Sequence, residues 1–223
     1  MSFRDVMKKF IQTAAAVTLI GLCATSSFAQ DAKTSKGYVG AEFGSFRFKD
    51  QTSIASGLVS AVGGSASSTQ DTGMTVGRFF GGLAITENFG AELGYITSGS
   101  ASGTFSGVSR SAVAYSGSAT IKVSGIDYSA LVRPSQSTGL NGLFLRVGGH
   151  SLSTQTDVSV ATGTTSGASN TTANGTGSLF GVGYDAKITD AFGVRVAYTT
   201  YNSVSGVSGN DVSLFTVGLL AKF

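Results

Sequence analysis

Apolar and polar residues alternate along eight segments of this chain, and a period of two residues is typical of β-strands. The eight predicted strands cover residues 37–49, 72–85, 88–99, 120–133, 141–153, 177–188, 191–203 and 211–223. Three short turns, at 86–87, 134–140 and 189–190, alternate with four connections that are long or polar, at 50–71, 100–119, 154–176 and 204–210. In an antiparallel meander, this alternation places all short turns at one end and all long loops at the other.

The two faces of the predicted strands differ in chemistry. In the last strand, alternate residues from Phe215 to Phe223 form an apolar face, and the opposite face includes Gly218 and Lys222. Glycine is depleted in strands and carries an entropic cost there. Inside a narrow barrel, however, glycine leaves room for long charged side chains from neighbouring strands. We therefore expect the apolar faces to contact lipid and the faces with glycine and charge to line the lumen.

Composition narrows the fold class further. The 223 residues include 32 glycines, 41% are hydrophobic, 12% are charged, and the mean hydropathy is +0.22. An average soluble domain has about half that glycine and about twice that charge, which disfavours an ordinary α/β enzyme. No segment has the roughly 18 to 20 continuous apolar residues of a spanning helix, whereas a spanning strand needs about 9 to 11. The sequence therefore predicts an all-β, eight-stranded antiparallel up-and-down transmembrane barrel with three periplasmic turns and four extracellular loops.

The first 29 residues predict a signal peptide, with a basic start, an apolar run at 14–23 and small residues at Ser27 and Ala29. A membrane anchor is disfavoured because the run is too short, and a lipoprotein signal is disfavoured because a leucine precedes Cys23. Residues 30–223 then form one barrel domain without cysteine. Removing three basic and one acidic residue from the totals of 15 and 12 leaves 12 basic against 11 acidic residues. This near balance does not support nucleic acid as a partner.

Seven charged residues from seven predicted strands are expected to face the lumen at one level. They are Glu42, Arg78, Glu92, Asp127, Arg146, Asp185 and Arg195. The interior of an eight-stranded barrel is only wide enough for side chains, and unpaired charges there are costly. We therefore expect arginine–carboxylate ion pairs. Two interpretations stay open: a structural network that fixes the barrel, or a gate for rare passage of ions or solutes.

Outward aromatic residues predict the positions of the two membrane interfaces. Phe89 and Phe192 are expected near the periplasmic interface, and Tyr95 and Tyr198 nearer the outer one, as an aromatic girdle. With eight strands, both chain termini are expected in the periplasm of a Gram-negative bacterium.

Several segments resemble the transmembrane barrel of the OmpA family. The resemblance is carried by residues 37–44, 81–82, 90–95, 146–149, 180–189 and 218–223 together with Arg195 and Tyr198, and these lie on seven of the predicted strands. It implies that Glu92, Arg146, Asp185 and Arg195 occupy the family's interior ion-pair positions. Glu42 stands where the family has a base, so the pairing scheme must differ. Because the sequence ends after residue 223, a separate peptidoglycan-binding domain and wall anchoring are not expected.

The resemblance also concerns the last strand. In the family, a terminal aromatic residue and outward apolar residues at every second position are recognised by the barrel-insertion machinery. The matching positions here are Phe215, Val217, Leu219, Ala221 and Phe223. We therefore expect the insertion machinery and outer-membrane lipid among the partners of this chain.

Catalysis, a bound metal and a cofactor are not expected. His150 is the only histidine, and Leu152 stands where a lipid A deacylase motif would place serine. By parity, His150 faces the lumen and not the lipid substrates. One histidine and no cysteine in residues 30–223 also leave no strong set of metal ligands.

The predicted function is a structural role in the outer membrane and in envelope integrity, with surface loops that contact partners. Loops 50–71, 100–119 and 154–176 are rich in small polar residues and poor in charge. They suit an extracellular protein or surface ligand better than a heparin-type electrostatic contact, and alternation within them predicts a stiff outward extension of some strands. Two alternatives stay open: a small gated pore of low conductance, and a surface adhesin. A general porin is excluded because open channels need about 16 strands.

Overall fold

A computed structural model of the chain describes residues 37–48, 65–71, 73–109, 112–134, 141–206 and 208–223. Ten strands are present in these ranges: β1 (Gly37–Phe48), β2 (Ser65–Gln70), β3 (Gly73–Ala84), β4 (Phe89–Ser98), β5 (Ala101–Val108), β6 (Ala114–Val132), β7 (Leu143–Thr162), β8 (Thr165–Lys187), β9 (Phe192–Tyr201) and β10 (Val212–Lys222). The predicted signal peptide and most of the connection 50–71 lie outside the described residues. No helix in the described part of the chain is both long and apolar enough to cross a membrane.

Eight of the strands form a closed antiparallel barrel in the order β1, β3, β4, β6, β7, β8, β9, β10, and β10 pairs back onto β1. This confirms the predicted all-β, eight-stranded barrel. Strands β2 and β5 lie outside it, because β5 pairs with the outer part of β6 and β2 pairs with β5. We call the barrel end with the short connections the turn end, and the opposite end the loop end.

Following the cross-strand partners once around the barrel determines the strand tilt. From Tyr38 the path runs through Gly82, Glu92, Ser129, Gly148, Leu179, Tyr201 and Val212 and returns to β1 at Phe48. The path returns ten residues beyond its start, which is a shear number of ten. Eight strands with this shear tilt by roughly 40° to the barrel axis, and the lumen is then narrow enough for side chains to fill it.

Exposure shows which face of each strand points outward. Leu219 is 66% exposed, whereas its neighbour Leu220 is 2% exposed. The same contrast holds on β4, where Leu93 is exposed and Glu92 is buried. Large apolar side chains therefore cover the outside of the barrel, as the alternation predicted.

A ring of hydroxyl side chains ends the apolar belt at the loop end. Each barrel strand contributes one outward residue: Ser45, Thr75, Thr97, Ser124, Ser151, Ser178, Thr200 and Ser213. Three pairs of these are direct cross-strand partners, such as Ser45 with Thr75. Below this hydroxyl ring, the outward positions of β10 from Phe215 to Phe223 span eight residues, or about 26 Å along the strand. At a tilt of roughly 40° this run rises about 20 Å along the barrel axis, somewhat less than the roughly 25 Å apolar band of outer-membrane barrels.

Three barrel strands extend far beyond the hydroxyl ring. The predicted boundaries 120–133, 141–153 and 177–188 were wrong at the loop end, because β6 begins at Ala114, β7 ends at Thr162 and β8 begins at Thr165. Segment 154–176 is therefore not a loop but a β-hairpin, whose two-residue turn contains Gly163 in a left-handed conformation (φ 57°). Its many serine, threonine, alanine and glycine residues give only a weak apolar–polar contrast, so the sequence indicated an outward continuation but not the boundaries of the strands. The predicted loop 100–119 is wrong for the same reason, since it contains β5 and the start of β6.

Strands β2 and β5, together with the parts of β6, β7 and β8 beyond the hydroxyl ring, form what we call the extension sheet. From Ser151 to Thr162 it rises 11 residues above the ring, or about 36 Å along the strand. Cross-strand pairing continues to the tip, where Thr162 faces Thr165. The predicted outward continuation of strands is thus a five-stranded sheet attached to one side of the barrel.

Glycines inside the barrel make room for aromatic rings directly opposite them. Gly40 faces Phe80 and Gly183 faces Phe144, and in both cases an added Cβ would overlap the opposite ring. Tyr38 packs over its partner Gly82 in the same way. Glycine in the lumen therefore leaves space for aromatic rings as well as for the predicted interior charges.

Candidate functional site in the lumen and on the extension sheet

The structure brings all seven of the predicted interior charges into one connected set of ion pairs. Glu92 lies at its centre, because its two oxygens face three arginines from three other strands. Glu92 Oε2 is 2.7 Å from Arg146 Nη2 and 3.4 Å from Arg78 Nη2, and Glu92 Oε1 is 2.5 Å from Arg195 Nη1. These four side chains are almost completely buried, so the pairs are shielded from solvent screening.

Two of the arginines bind an aspartate with both arms of the guanidinium. Arg78 donates from Nε and Nη2 to the two oxygens of Asp127, each at 2.7 Å. Arg195 donates from Nε and Nη2 to Asp185 at 2.6 and 2.9 Å. Such bidentate pairs combine strength with a defined geometry.

Glu42, which departs from the family pattern, joins the same network from β1. Its Oε2 is 3.3 Å from Arg78 Nη1, and its Oε1 is 3.8 Å from Arg195 Nη1. Thr216 on the neighbouring β10 donates a hydrogen bond to Oε2 at 3.3 Å. The acid at this position is therefore accommodated by arginines on β3 and β9.

A fourth base was missed by the sequence analysis. Arg133 Nη2 lies 3.6 Å from Asp185 Oδ2 and balances the four acids with a fourth arginine. Arg133 lies six residues after Asp127 in the predicted strand 120–133, so both side chains fall on the same face. This spacing could have placed Arg133 in the lumen from the sequence alone. Two tyrosines were also missed: Tyr38 donates to Glu92 at 2.9 Å, and Tyr201 donates to Asp127 at 3.1 Å.

Apolar side chains fill the lumen on both sides of the charged network, so the interior is more apolar than the sequence pattern predicted. The turn-end layer consists of Tyr38, Phe80, Leu131, Phe144, Ala197 and Leu220. The loop-end layer consists of Phe46, Met74, Val76, Ile96, Ala101, Val123, Leu152, Leu179, Tyr201, Val204, Val212 and Leu214. The guanidinium of Arg195 also lies over the rings of Phe80 and Phe144, at 4.7 and 4.6 Å. Charge and apolar packing together close the middle of the lumen.

His150 is fully buried at the loop-end side of the network. Its Nε2 is 2.9 Å from the carbonyl oxygen of Asn202, and its ring packs edge-on against Tyr201 with centroids 5.5 Å apart. The neighbouring Ser151 is exposed on the outer face. Histidine and serine therefore point to opposite sides of β7, which does not suit a nucleophile and its base. Among the described residues, no group of three acidic, histidine or cysteine side chains could hold a metal ion.

The proposed girdle residues all face outward. Phe89 and Phe192, at the turn end, are 53% and 59% exposed, and Tyr95 and Tyr198, just below the hydroxyl ring, are 49% and 48% exposed. The predicted insertion signal consists of Phe215, Val217, Leu219 and Ala221 on β10 and of Phe223 directly after it. These positions run down the barrel surface to the turn end.

One face of the extension sheet is an ordered array of hydroxyl groups. Thr69, Thr104, Ser118, Ser159 and Ala168 form one row across its five strands. Neighbours in the row share hydrogen bonds, at 2.8 Å between the two threonines and 2.9 Å between the two serines. A shallow cavity of about 980 Å³ lies over this row. The strands of the extension sheet carry only two charged residues, Lys122 and Asp157, so the surface offers neutral hydrogen bonding.

An exposed ion pair at the turn end provides a pH-dependent reporter. Lys187 Nζ contacts Asp190 Oδ1, and this hydrogen bond lowers the pKa of Asp190 below its ordinary value. A lowered pKa in the folded state means that the pair stabilises the barrel at neutral pH and loses this effect as the pH falls through that pKa. The effect is small because water surrounds both groups.

We expect the variant Lys187→Ala to return the pKa of Asp190 to its ordinary value, as measured by NMR titration of the carboxyl group in detergent micelles. The variant Lys122→Ala, far from the turn, serves as the matched control. An unchanged Asp190 titration in Lys187→Ala would show that the pair does not form in solution.

The match to a known protein family agrees with this architecture. The family model for the OmpA-like transmembrane domain matches residues 32–223. Among solved structures, the outer membrane protein OprG from Pseudomonas aeruginosa is 9% identical, with a TM-score of 0.46 over 85% of this chain and 96% of that chain. Ail of Yersinia pestis, solved with the heparin analogue sucrose octasulfate, is 10% identical, with a TM-score of 0.44 over 84% of this chain and 99% of that chain. No curated protein sequence matches this chain. Because the family model matches residues 32–223, which is most of the 223 residues, this chain belongs to the OmpA-like transmembrane domain family of Gram-negative outer-membrane β-barrels.

Proposed function

We propose that this protein is a structural outer-membrane barrel that does not conduct, and that its extension sheet contacts partner macromolecules at the cell surface. In this arrangement the turn end and both chain termini face the periplasm, and the C-terminal strand engages the barrel-insertion machinery. The observation that carries the proposal is the closed lumen, in which a charge-balanced network lies between two apolar layers. We propose no catalytic role, since His150 and Ser151 lie on opposite faces.

A gate would require the ion pairs to exchange partners, and the geometry opposes such exchange. Arg78 contacts three carboxylates at once, and Arg195 contacts three as well. Moving Arg78 would leave the buried Asp127 without its arginine, which is strongly unfavourable. Moving Arg195 would break its bidentate bonds to Asp185 and its contact with Glu92 Oε1. Opening the charged network would still leave the two apolar layers in the path.

We therefore expect the purified protein to produce no channel openings in planar bilayers at physiological salt. An open porin added to the same bilayer afterwards is the positive control. Frequent small openings that change in the variant Arg195→Met would contradict the proposal and favour the gated-pore alternative.

The extension sheet supports the second part of the proposal. A continuous hairpin of β7 and β8 holds the tip at a defined height, and its small neutral side chains lie exposed on the hydroxyl face. The sheet therefore presents a stiff contact surface without paying the ordering entropy of a flexible loop.

A deletion strain can separate the two roles. It is complemented either with the full chain or with a chain in which 154–176 is replaced by a two-residue turn. We expect both chains to restore resistance to detergent, and only the full chain to restore adhesion to surfaces or cells. Equal adhesion by both strains would overturn the contact role, and failure of the full chain to restore detergent resistance would overturn the structural role.

A further inference from the structure

Strand β8 has a long edge that no described strand covers. Its neighbour β9 ends at Tyr201, which pairs with Leu179, whereas β8 continues for 14 more residues to Thr165. Asn202 bonds to this edge at Ser178, and the turn at Ser205 and Gly206 packs against it at Gly175. The part from Thr165 to Ala173 remains beyond it, and all of its side chains are exposed.

The backbone groups that face this edge can be identified from the pairing. Ser178 accepts a hydrogen bond from the Asn202 amide at 2.9 Å, so the carbonyl of Ser178 points to the β9 side. In an antiparallel strand, the N–H and C=O of one residue point the same way, and alternate residues point to opposite neighbours. The pairing of β7 with β8 is continuous over this stretch. The N–H and C=O groups of Ala168, Asn170 and Thr172 therefore point out of the edge.

This edge lacks the protection that exposed edges usually have. Natural proteins protect them with charge, proline, a bulge or a short strand. Residues 165–173 contain no charged residue and no proline, and the register shows no bulge. The opposite edge of the extension sheet, β2, is only six residues long. An unprotected edge of this length is a template for strand addition.

We propose that this edge pairs in antiparallel fashion with the same edge of a second copy of the chain held in an opposing membrane. The inference rests on the proposed surface exposure of the extension sheet. A second copy suits the edge because it offers an identical, neutral and already extended strand, so no segment must be ordered on binding. Pairing of identical edges also forms a closed two-fold contact.

The membrane geometry selects the opposing copy and excludes a neighbour. In every copy within one membrane, β8 runs from the tip toward the bilayer, at a tilt of roughly 40° in the barrel. Two such strands differ in direction by at most about 80°, which does not permit antiparallel pairing. A copy in a facing membrane runs in the opposite sense and permits it. Each edge contact is weak, but many copies on two apposed surfaces act together.

The test uses the full mature protein in two populations of fluorescently labelled phospholipid vesicles, with outward orientation verified by protease cleavage of the extension sheet. We expect the vesicles to cluster only when both populations carry the protein. The variant Ala168→Pro removes an N–H that faces the edge and leaves the bonds between β7 and β8 intact. It should slow clustering at least about ten-fold. The matched variant Ala168→Thr keeps the N–H and should cluster like the original protein.

Each other outcome overturns the inference. Clustering of protein-bearing vesicles with empty ones identifies lipid as the occupant, and unchanged clustering in Ala168→Pro identifies another surface. Equal circular dichroism and equal gel mobility of unheated samples show that both variants fold. Protease cleavage of the extension sheet on intact cells distinguishes a failure of the edge pairing from a failure of the proposed surface exposure. If cleavage occurs without vesicle clustering, only the edge pairing fails. If intact cells resist a protease that cleaves the same protein in vesicles, the proposed surface exposure fails first.

Discussion

Replacement of Arg78 by methionine is expected to lower the free energy of unfolding by about 3 to 5 kcal/mol. Arg78 is fully buried and contacts Glu42, Glu92 and Asp127. Methionine fills much of the same volume but leaves Asp127 without its bidentate partner. The loss can be measured by urea titration of the barrel in lipid vesicles, followed by circular dichroism because the chain has no tryptophan.

The exposed pair of Lys187 and Asp190 offers the control for this measurement. Lys187→Ala removes an ion pair that water surrounds, and such an exposed pair contributes little to stability. If Arg78→Met and Lys187→Ala lower stability by the same small amount, the interior network does not hold the barrel together.

Replacement of Gly94 by valine is expected to lower the free energy of unfolding by about 3 kcal/mol. A Cβ at this position would lie 2.6 Å from Asp127 Oδ1 and 2.7 Å from Arg78 Nη2. The added side chain would therefore push apart a bidentate ion pair that has no room to move. The same urea titration measures the effect.

Gly81 is the matched control, because it lies on the neighbouring strand and faces outward. An added Cβ there meets no heavy atom within 4 Å. Valine suits a strand that faces lipid, so Gly81→Val should change stability by no more than about 0.5 kcal/mol. Comparable losses in the two variants would mean that glycine serves backbone conformation at both sites and not the space for the charges.

The parity of the charged residues predicted which of them face the lumen, but not which of them form ion pairs. Alternation placed Glu92 and Arg146 in the lumen and near one level, but it did not identify them as partners. They are 54 residues apart and contact each other across the barrel. Which pairs meet depends on the shear number, and a change of two residues in the register would bring different side chains together.

In the extension sheet, the pattern of apolar and polar residues does not predict where the strands begin and end. Between Thr154 and Thr176 most side chains are serine, threonine, alanine or glycine, so the apolar alternation becomes weak although the strand continues. What keeps this segment extended is pairing with a neighbour that is itself already in a sheet. The row from Thr69 to Ala168 likewise exists only because five separate segments align.

The sequence by itself determined the number of barrel strands, the lipid-facing side of each, and the identity of most buried charges. These properties follow from local alternation, which a one-residue slip would reverse. The tertiary structure decided the ion-pair partners, the two apolar layers, the fourth arginine in the network and the height of the extension sheet. All of these depend on contacts between residues far apart in the chain, and the closure and shear of the barrel set those contacts.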